Sequence, residues 1–274
     1  MSIVILTYES LFSNLMIEAL IKTYPDEVFG IVHSDFIIQG KSFRQSLLHL
    51  YRHTGLRFII RKAFLELQFR ALYVIVRLNA RRAKVSSLRE MGRLYGIPII
   101  GSKDVNSPQT LARIRAWNPD VIFSIYLNQL IKPELIEMPS HGIFNIHPSL
   151  LPRHRGVNPF FWVIINRDIE TGVTIHWVDE NFDTGDILLQ RKIEVEPRDS
   201  IISLCYKSSL LGADMLCEAV KLIDSGNPPR FEQDHARASY HTWPKPKDQL
   251  RFSAVGGRYG NIFEIWRYLP KDKI

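Results

Sequence analysis

Phe144-Asn145-Ile146-His147-Pro148-Ser149-Leu150-Leu151-Pro152-Arg153-His154-Arg155-Gly156 is the stretch whose reading decides the fold. A short apolar strand, Gly142-Ile143-Phe144, runs directly into an amide and an imidazole, then into a proline-punctuated loop closed by glycine. Asn145 and His147 share a parity, so alternation points both to one face of the strand's end. In an open parallel α/β sheet, ligands bind at the carboxyl ends of the strands. An isolated Asn-x-His reads more simply as a turn asparagine beside a satisfied core histidine, and what weighs against that here lies downstream. Thr171 to Asp179 alternates as a strand, and Asn181-Phe182-Asp183-Thr184-Gly185-Asp186 is a turn carrying carboxylates.

Together these segments resemble the folate-dependent formyltransferases, a superfamily that includes methionyl-tRNA formyltransferase, phosphoribosylglycinamide formyltransferase and the sugar-nucleotide N-formyltransferases. The resemblance rests on the N-I-H-P-S-L-L-P-R-H-R-G run, Pro159 and Trp162, E-T-G-V-T-I-H from Glu170 and D-T-G-D-I-L from Asp183. It implies a Rossmann-like α/β fold, a mostly parallel central sheet flanked by helices, and 10-formyltetrahydrofolate as formyl donor. Formyl transfer to an amine needs a neutral nucleophile, stabilisation of the oxyanion and removal of a proton. In the family's Asn-His-Asp set, Asn145 supplies the oxyanion donor. His147 donates to the same oxygen or takes the proton, and Asp183 orients His147 and relays the proton.

The resemblance also implies that Tyr126, Leu127 and Leu130 wall the pterin site, although a buried connection explains any one of them as simply. Arg153 and Arg155 are candidates to pair with the carboxylates of the folate tail, against the reading that they are solvated surface charges. Gly156, Val178 and Thr184 are counted with the donor site. Gly156 and Gly185 also read as positions set by backbone conformation, and Thr184 as a shaper of its turn. His176, on the face shared with Thr174 and Val178, reads as structural. No metal site is expected: His141, His147, His154 and His176 are near one another in sequence, but they form no H-x-x-x-H pair and no C-x-x-C accompanies them.

At 274 residues, 46% hydrophobic and 23% charged, the chain suits one large α/β domain plus a small appendage. We divide it into a catalytic domain, 1–226, and a C-terminal extension, 227–274. Met1 to Leu6 reads as a strand rather than a signal peptide. Cys205 and Cys217 fall on one predicted helix, roughly 18 Å apart, too far for a disulfide. A cytoplasmic setting follows, with peripheral membrane contact left open. The net charge of +7 is uneven: Lys41 to Lys84 carries eleven Lys and Arg against Glu66 alone. That interval lies within residues 38–95, which read as a basic helical insertion. Phe58, Leu65, Phe69, Leu72 and Val76 step at helical spacing there, punctuated by Arg57, Arg61, Arg70, Arg77 and Arg81. The insertion either packs on the core or meets an anionic partner: a nucleotide-sugar, a carrier, a membrane surface or tRNA.

Elsewhere the α/β rhythm is regular. Strands are predicted over Ile3–Thr7, Glu27–His33, Ile97–Ile100, Asp120–Ile125, Thr171–Asp179 and Ile187–Glu196. Helices are predicted from caps at Ser10, Ser107, Asn158 and Ser200, with Lys132–Met138 a short one. Where the family's first loop often carries glycine, this chain has Thr7-Tyr8-Glu9-Ser10, which counts against a phosphate bound there. Trp162 reads as core, and Tyr240 and Trp243 as packing across the catalytic domain or stacking on an acceptor. The expected activity is N-formylation of a small amine, an amino sugar-nucleotide or a natural-product or amino-acid-like amine. The rivals are a methionyl-tRNA formyltransferase, disfavoured by a tail too short for a barrel domain, a formyltetrahydrofolate hydrolase, and a non-catalytic folate- or membrane-binding module. Oligomeric state is left open.

Overall fold

Strand β1 (Ile3–Thr7) is buried along its whole length, and its parity divides the interior in two. Ile3 and Ile5 enter a cluster with helix α1 (Leu11–Thr23) and the long helix α7 (Ile201–Asp224). Val4 and Leu6 enter a second cluster with α4 (Pro108–Ala116) and α5 (Pro133–Ile136). A strand apolar on both faces belongs in the middle of a sheet covered by helices on both sides.

The computed structural model describes residues 1–34, 41–56, 58–61, 63–64, 67–68, 86–261 and 263–264. Its main sheet has the order β3-β2-β1-β4-β5-β7-β8. β2 (Val28–Ser34), β3 (Ile99–Ser102), β4 (Val121–Ile125) and β5 (Ile143–His147) pair in parallel with their neighbours. β7 (Glu170–Trp177) and β8 (Ile187–Glu194) add an antiparallel edge. The chain order reverses where β1 lies between β2 and β4, and the crevice at such a switch point opens beyond the carboxyl ends of the strands. Thr7, Ile125 and His147 stand at those ends. Two-residue strands β6 (Arg155–Gly156) and β9 (Tyr240–His241) pair separately, tying the chain's last part to the loop after β5.

Helix α1 starts at Ser10, which forms a reciprocal capping box with Ser13, and α7 starts the same way at Ser200 with Ser203. Asn158 differs from expectation. It precedes α6 (Pro159–Asn166) with a left-handed φ of 53° and makes no side-chain cap bond, because the chain must turn sharply out of β6. Cys205 and Cys217 both lie on α7 and are free and half-buried.

Of the insertion, α2 (Phe43–Thr54) and helical residues at 56, 58–61, 63–64 and 67–68 are described, together with α3 (Leu88–Tyr95). Arg57, Leu65, Phe69, Arg70, Leu72, Val76, Arg77 and Arg81 lie outside the described residues. Glu9, the carboxylate of the first loop, accepts the Leu88 backbone N–H at 3.0 Å and the Asn14 amide at 3.4 Å. Glu18 accepts from Ser86, and Asn14 donates to the Ser86 carbonyl. Polar groups on the first loop and on α1 therefore anchor the start of α3. The remaining helix, α8 (Pro246–Ala254), buries Phe252 against Phe161 of α6, rings stacked at 4.7 Å. Among the described residues no helix is long and apolar enough to cross a membrane.

Candidate active site

Asn145 and His147 emerge at the carboxyl end of β5, as parity requires, and the turn after β7 brings Asp183 to both. The Asn145 Nδ2 donates to Asp183 Oδ1 at 3.2 Å, and the Nδ1 of His147 lies 3.4 Å from the same oxygen. Parallel pairing sets Ser124 of β4 beside Asn145, and its hydroxyl donates to Asn145 Oδ1 at 2.9 Å, fixing which end of the amide faces Asp183. The second Asn145 hydrogen is directed at His176 Nε2, 3.2 Å away. His176 was expected to be structural. The antiparallel register sets it directly opposite Asn145, with Nε2 3.6 Å from Asp183. Its Nδ1–H donates to the Trp177 carbonyl at 2.7 Å, which leaves Nε2 to accept from Asn145.

The same reasoning fixes His147. Its Nε2 lies 2.9 Å from the His154 carbonyl, an obligate acceptor, so Nε2 carries a hydrogen and Nδ1 is the titrating nitrogen. Burial lowers the pKa of His147 from the ordinary histidine value, against the opposing pull of Asp183. Burial acts to raise the pKa of Asp183, but the His147 and His176 rings and the Gly156 N–H outweigh it, and the carboxyl is held well below its usual range. The Gly156 N–H meets Asp183 Oδ2 at 2.8 Å. The site is thus a neutral imidazole base beside a fixed carboxylate, with an amide held between Asp183 and His176. Asp183 takes a left-handed φ of 57°, a cost of order 1–2 kcal/mol that the surrounding bonds must offset.

These groups form the floor of a cavity of about 410 Å³. Its walls include Tyr126, Leu127 and Asn128 from the loop after β4, Phe160 and Phe161 of α6, Phe182, Leu50 of α2, and Tyr240 and Trp243. Gly156 also lines it. Leu130, Val178, Arg153, Arg155 and Thr184 are not among the lining residues. Leu130 gives its carbonyl to Asn106, Val178 its N–H to Ile143, and Thr184 its hydroxyl to Asp179. The Arg153 guanidinium pairs with Glu170 at 3.0 Å. Arg155 is buried and donates to Gln233 Oε1 at 2.6 Å and to His235 Nδ1 at 3.0 Å. Both arginines are spent on protein partners rather than presented as free cations.

Sequence reasoning singled out Tyr240 and Trp243, which line the cavity, but missed Gln233 and His241. Gln233 Nε2 donates to the carbonyls of Asp183, at 3.1 Å, and Gly185, at 2.6 Å, so Arg155 holds the Asp183 turn through Gln233. His241 lies 3.1 Å from His154 Nδ1, and His154 Nε2 donates to Asp168 at 2.7 Å. Trp162, expected in the core, is half-buried and stacks on His241 with centroids 4.4 Å apart. Burial lowers the pKa of His154, and burial with the neighbouring His154 lowers His241 to about 4. The hydrogens then run one way, from His241 to His154 to Asp168. This chain immobilises the loop whose carbonyl sets the His147 tautomer. Gln233→Ala is expected to destabilise the fold by about 1–3 kcal/mol, because the buried Arg155 loses its acceptor. Urea unfolding checks this, and an unchanged midpoint would refute the bracing role.

A family model described as formyl transferase matches residues 77–220, just over half of the chain. The chain belongs to the formyl transferase family. Among similar relatives are the methionyl-tRNA formyltransferases of Geobacter metallireducens, 40% identical over 156 residues, and of Clostridioides difficile, 35% identical over 162 residues. These matches cover 57% and 59% of this formyl transferase chain and 50% and 52% of the relatives. The chain thus spans about half the length of the curated relatives it matches. Among solved structures, the N-formyltransferase from Helicobacter canadensis, in complex with folinic acid and dTDP-3-aminofucose, superimposes with a TM-score of 0.55 at 19% identity, covering 89% of this chain and 71% of that one. Phosphoribosylglycinamide formyltransferase from Bacillus halodurans gives 0.57 at 20% identity, covering 83% and 97%. At these identities the structural likeness bears on the fold, which it supports as the expected mostly parallel α/β sheet.

Proposed function

We propose that this chain is an N-formyltransferase that moves the formyl group of 10-formyltetrahydrofolate to the amine of a small acceptor. The observation that carries this reading is the convergence of Asn145, His147 and Asp183 on one cavity beyond the carboxyl ends of β4 and β5. The cavity is within the size range of small-molecule sites, and its aromatic walls above a polar floor suit a flat ring that presents a formyl amide. Tyr126 and Leu127 would hold the ring, and the donor would supply the activated formyl carbon.

The work left to the protein is electrostatic and acid–base. Asn145 turns an amide hydrogen toward the formyl oxygen, exchanging its His176 partner for it, and meets the negative charge that develops there. His147, neutral at Nδ1, takes the proton that the acceptor amine must lose as its nitrogen bonds to the formyl carbon. The resulting imidazolium sits beside Asp183, whose charge stabilises it, and can return the proton to the departing folate nitrogen. The bond made is amine nitrogen to formyl carbon, the bond broken is formyl carbon to folate nitrogen, and the products are a formamide and tetrahydrofolate.

An amino sugar-nucleotide or an amino-acid-like amine fits a cavity of this size. A second reading has the aminoacyl group of initiator tRNA as acceptor, favoured by the names of the 35–40% identical relatives. One assay separates the readings: tetrahydrofolate release followed by absorbance with a panel of small amines, with methionyl-tRNA and with no acceptor. Turnover that requires a small amine is the expected result. Turnover only with the charged tRNA would select the second reading, and equal turnover without any acceptor would make the chain a hydrolase.

A further inference from the structure

The described helical residues after α2 have two opposed apolar faces: one packs into the fold through Phe58, and the other borders a groove against Pro246 and Leu250 of α8 while its side chains stay largely exposed. Phe58 is buried and meets Trp243 of the cavity wall with ring centroids 6.1 Å apart. Leu56, Ile60, Phe64 and Leu67, spaced by 4, 4 and 3, lie about 80° of helical rotation within one another and roughly opposite Phe58. All four are between 57% and 63% exposed. Leu47, Leu48 and Tyr51 of α2 and Leu250 of α8 are exposed as well. Scattered exposed leucines are ordinary, but a whole helical stripe of large apolar side chains turned to solvent is the mark of an interaction surface.

The charge around it identifies the partner. Between Lys41 and Leu67 the sequence has six Lys and Arg against Glu66 alone. Lys41, Arg44 and Arg52 are exposed, as are Lys247 and Arg251 on α8 beside Leu250. A nucleic acid would answer the cations but leave the leucine, isoleucine and phenylalanine side chains without a counterpart. A second copy of the chain would answer the apolar stripe but bring a second strongly net-cationic segment against the first. A surface that is apolar beneath and anionic above answers both. We infer that this face docks peripherally on an anionic lipid bilayer, with Leu56, Ile60, Phe64 and Leu67 entering the acyl boundary and Arg44 and Arg52 at the headgroups. The cavity wall then lies directly behind the docked face, since Phe58 and Trp243 join the two.

The full-length chain would be sedimented with vesicles of phosphatidylcholine alone and of phosphatidylcholine with 30% phosphatidylglycerol, at low and high salt. The expected result is binding to the anionic vesicles only, weakened but not abolished by salt. Ile60→Glu with Phe64→Glu should weaken it by roughly 10-fold or more, the loss expected when two buried apolar side chains are withdrawn. These side chains are exposed in the fold, so the variant should keep the parent's circular dichroism. Arg44→Glu with Arg52→Glu should remove the preference for phosphatidylglycerol. Absence of binding at low salt, or undiminished binding by the Ile60→Glu, Phe64→Glu variant, would overturn the inference. So would a wild-type dimer in solution that this variant converts to monomer, which would give the face to a second copy.

Discussion

Replacing His147 by alanine is expected to lower kcat for formyl transfer by about 10²–10⁴-fold, the range for losing a positioned general base. The imidazole is 5% exposed, and its Nε2–H is committed to the His154 carbonyl at 2.9 Å. Nδ1 is therefore the atom that can exchange a proton with an acceptor. Removal leaves that carbonyl without its donor, so the variant should also be about 1–3 kcal/mol less stable. Activity must therefore be measured well below its melting temperature. KM for the donor should change little, because the ring is held to the protein and not to the cavity walls. A variant within about threefold of the parent in kcat would remove His147 from the chemistry. Equal loss in kcat and a large rise in KM would make it a binding group instead.

The same site sets a pH dependence with a definite sign. His147 works as a base only when neutral, and burial lowers its pKa below the ordinary value of 6.5. Transfer should therefore be flat through neutral pH and fall only as the solution becomes more acidic than that value. Asp183 acts against the lowering, so Asp183→Asn should push the acid limb to still lower pH while reducing kcat, since the imidazolium loses its counter-charge. A pH–rate profile of kcat/KM for both proteins measures this. An acid limb above the ordinary histidine value would show that His147 rests protonated.

What the sequence made legible is what is local or set by parity. Asn145 and His147 lie two residues apart on a strand end and Asp183 sits in a carboxylate-bearing turn, and it was the resemblance to the formyltransferases that joined the three before any contact was known. His176 was read as structural without its partner being visible. Its side-chain parity was visible, but the antiparallel register that sets it opposite Asn145 depends on where β7 pairs, which no local pattern encodes. Arg153 and Arg155 read as available cations because Glu170 lies 17 and Gln233 78 residues away in the chain. Gln233 is brought to the site by the single bridge between Ile187 and Phe231, and Tyr240 and His241 by the β6–β9 pairing, contacts one and two residues long and without a hydrophobic repeat to signal them. Thus the elements were readable from alternation and caps, and the fold class and candidate catalytic groups from the resemblance that several segments carry together. The groups that brace them depend on long-range pairing.

Gly156→Ala should be the most damaging small change outside the three catalytic groups. A Cβ at this position would stand 2.2 Å from the His241 carbonyl oxygen, a backbone atom that can move only if β9 moves. The φ of 92° is itself unfavourable for alanine. Strain of about 1–2 kcal/mol from the backbone and about 1–3 kcal/mol from forced separation of β6 and β9 together predict a fall in Tm of roughly 5–15 °C. The chemical effect follows from the same atom. The Gly156 N–H is the donor on Asp183 Oδ2, so moving it by even half an ångström loosens the carboxylate that must stabilise the His147 imidazolium. A loss in kcat comparable with that of Asp183→Asn is therefore expected at temperatures where the variant is still folded. Gly96→Ala is the control. It has a φ of 70° but nothing within 4 Å of the added carbon, so it carries the strain without the collision and lies far from the site. If the two variants melt alike and both retain full turnover, the β6–β9 clamp is not what holds Asp183 in place.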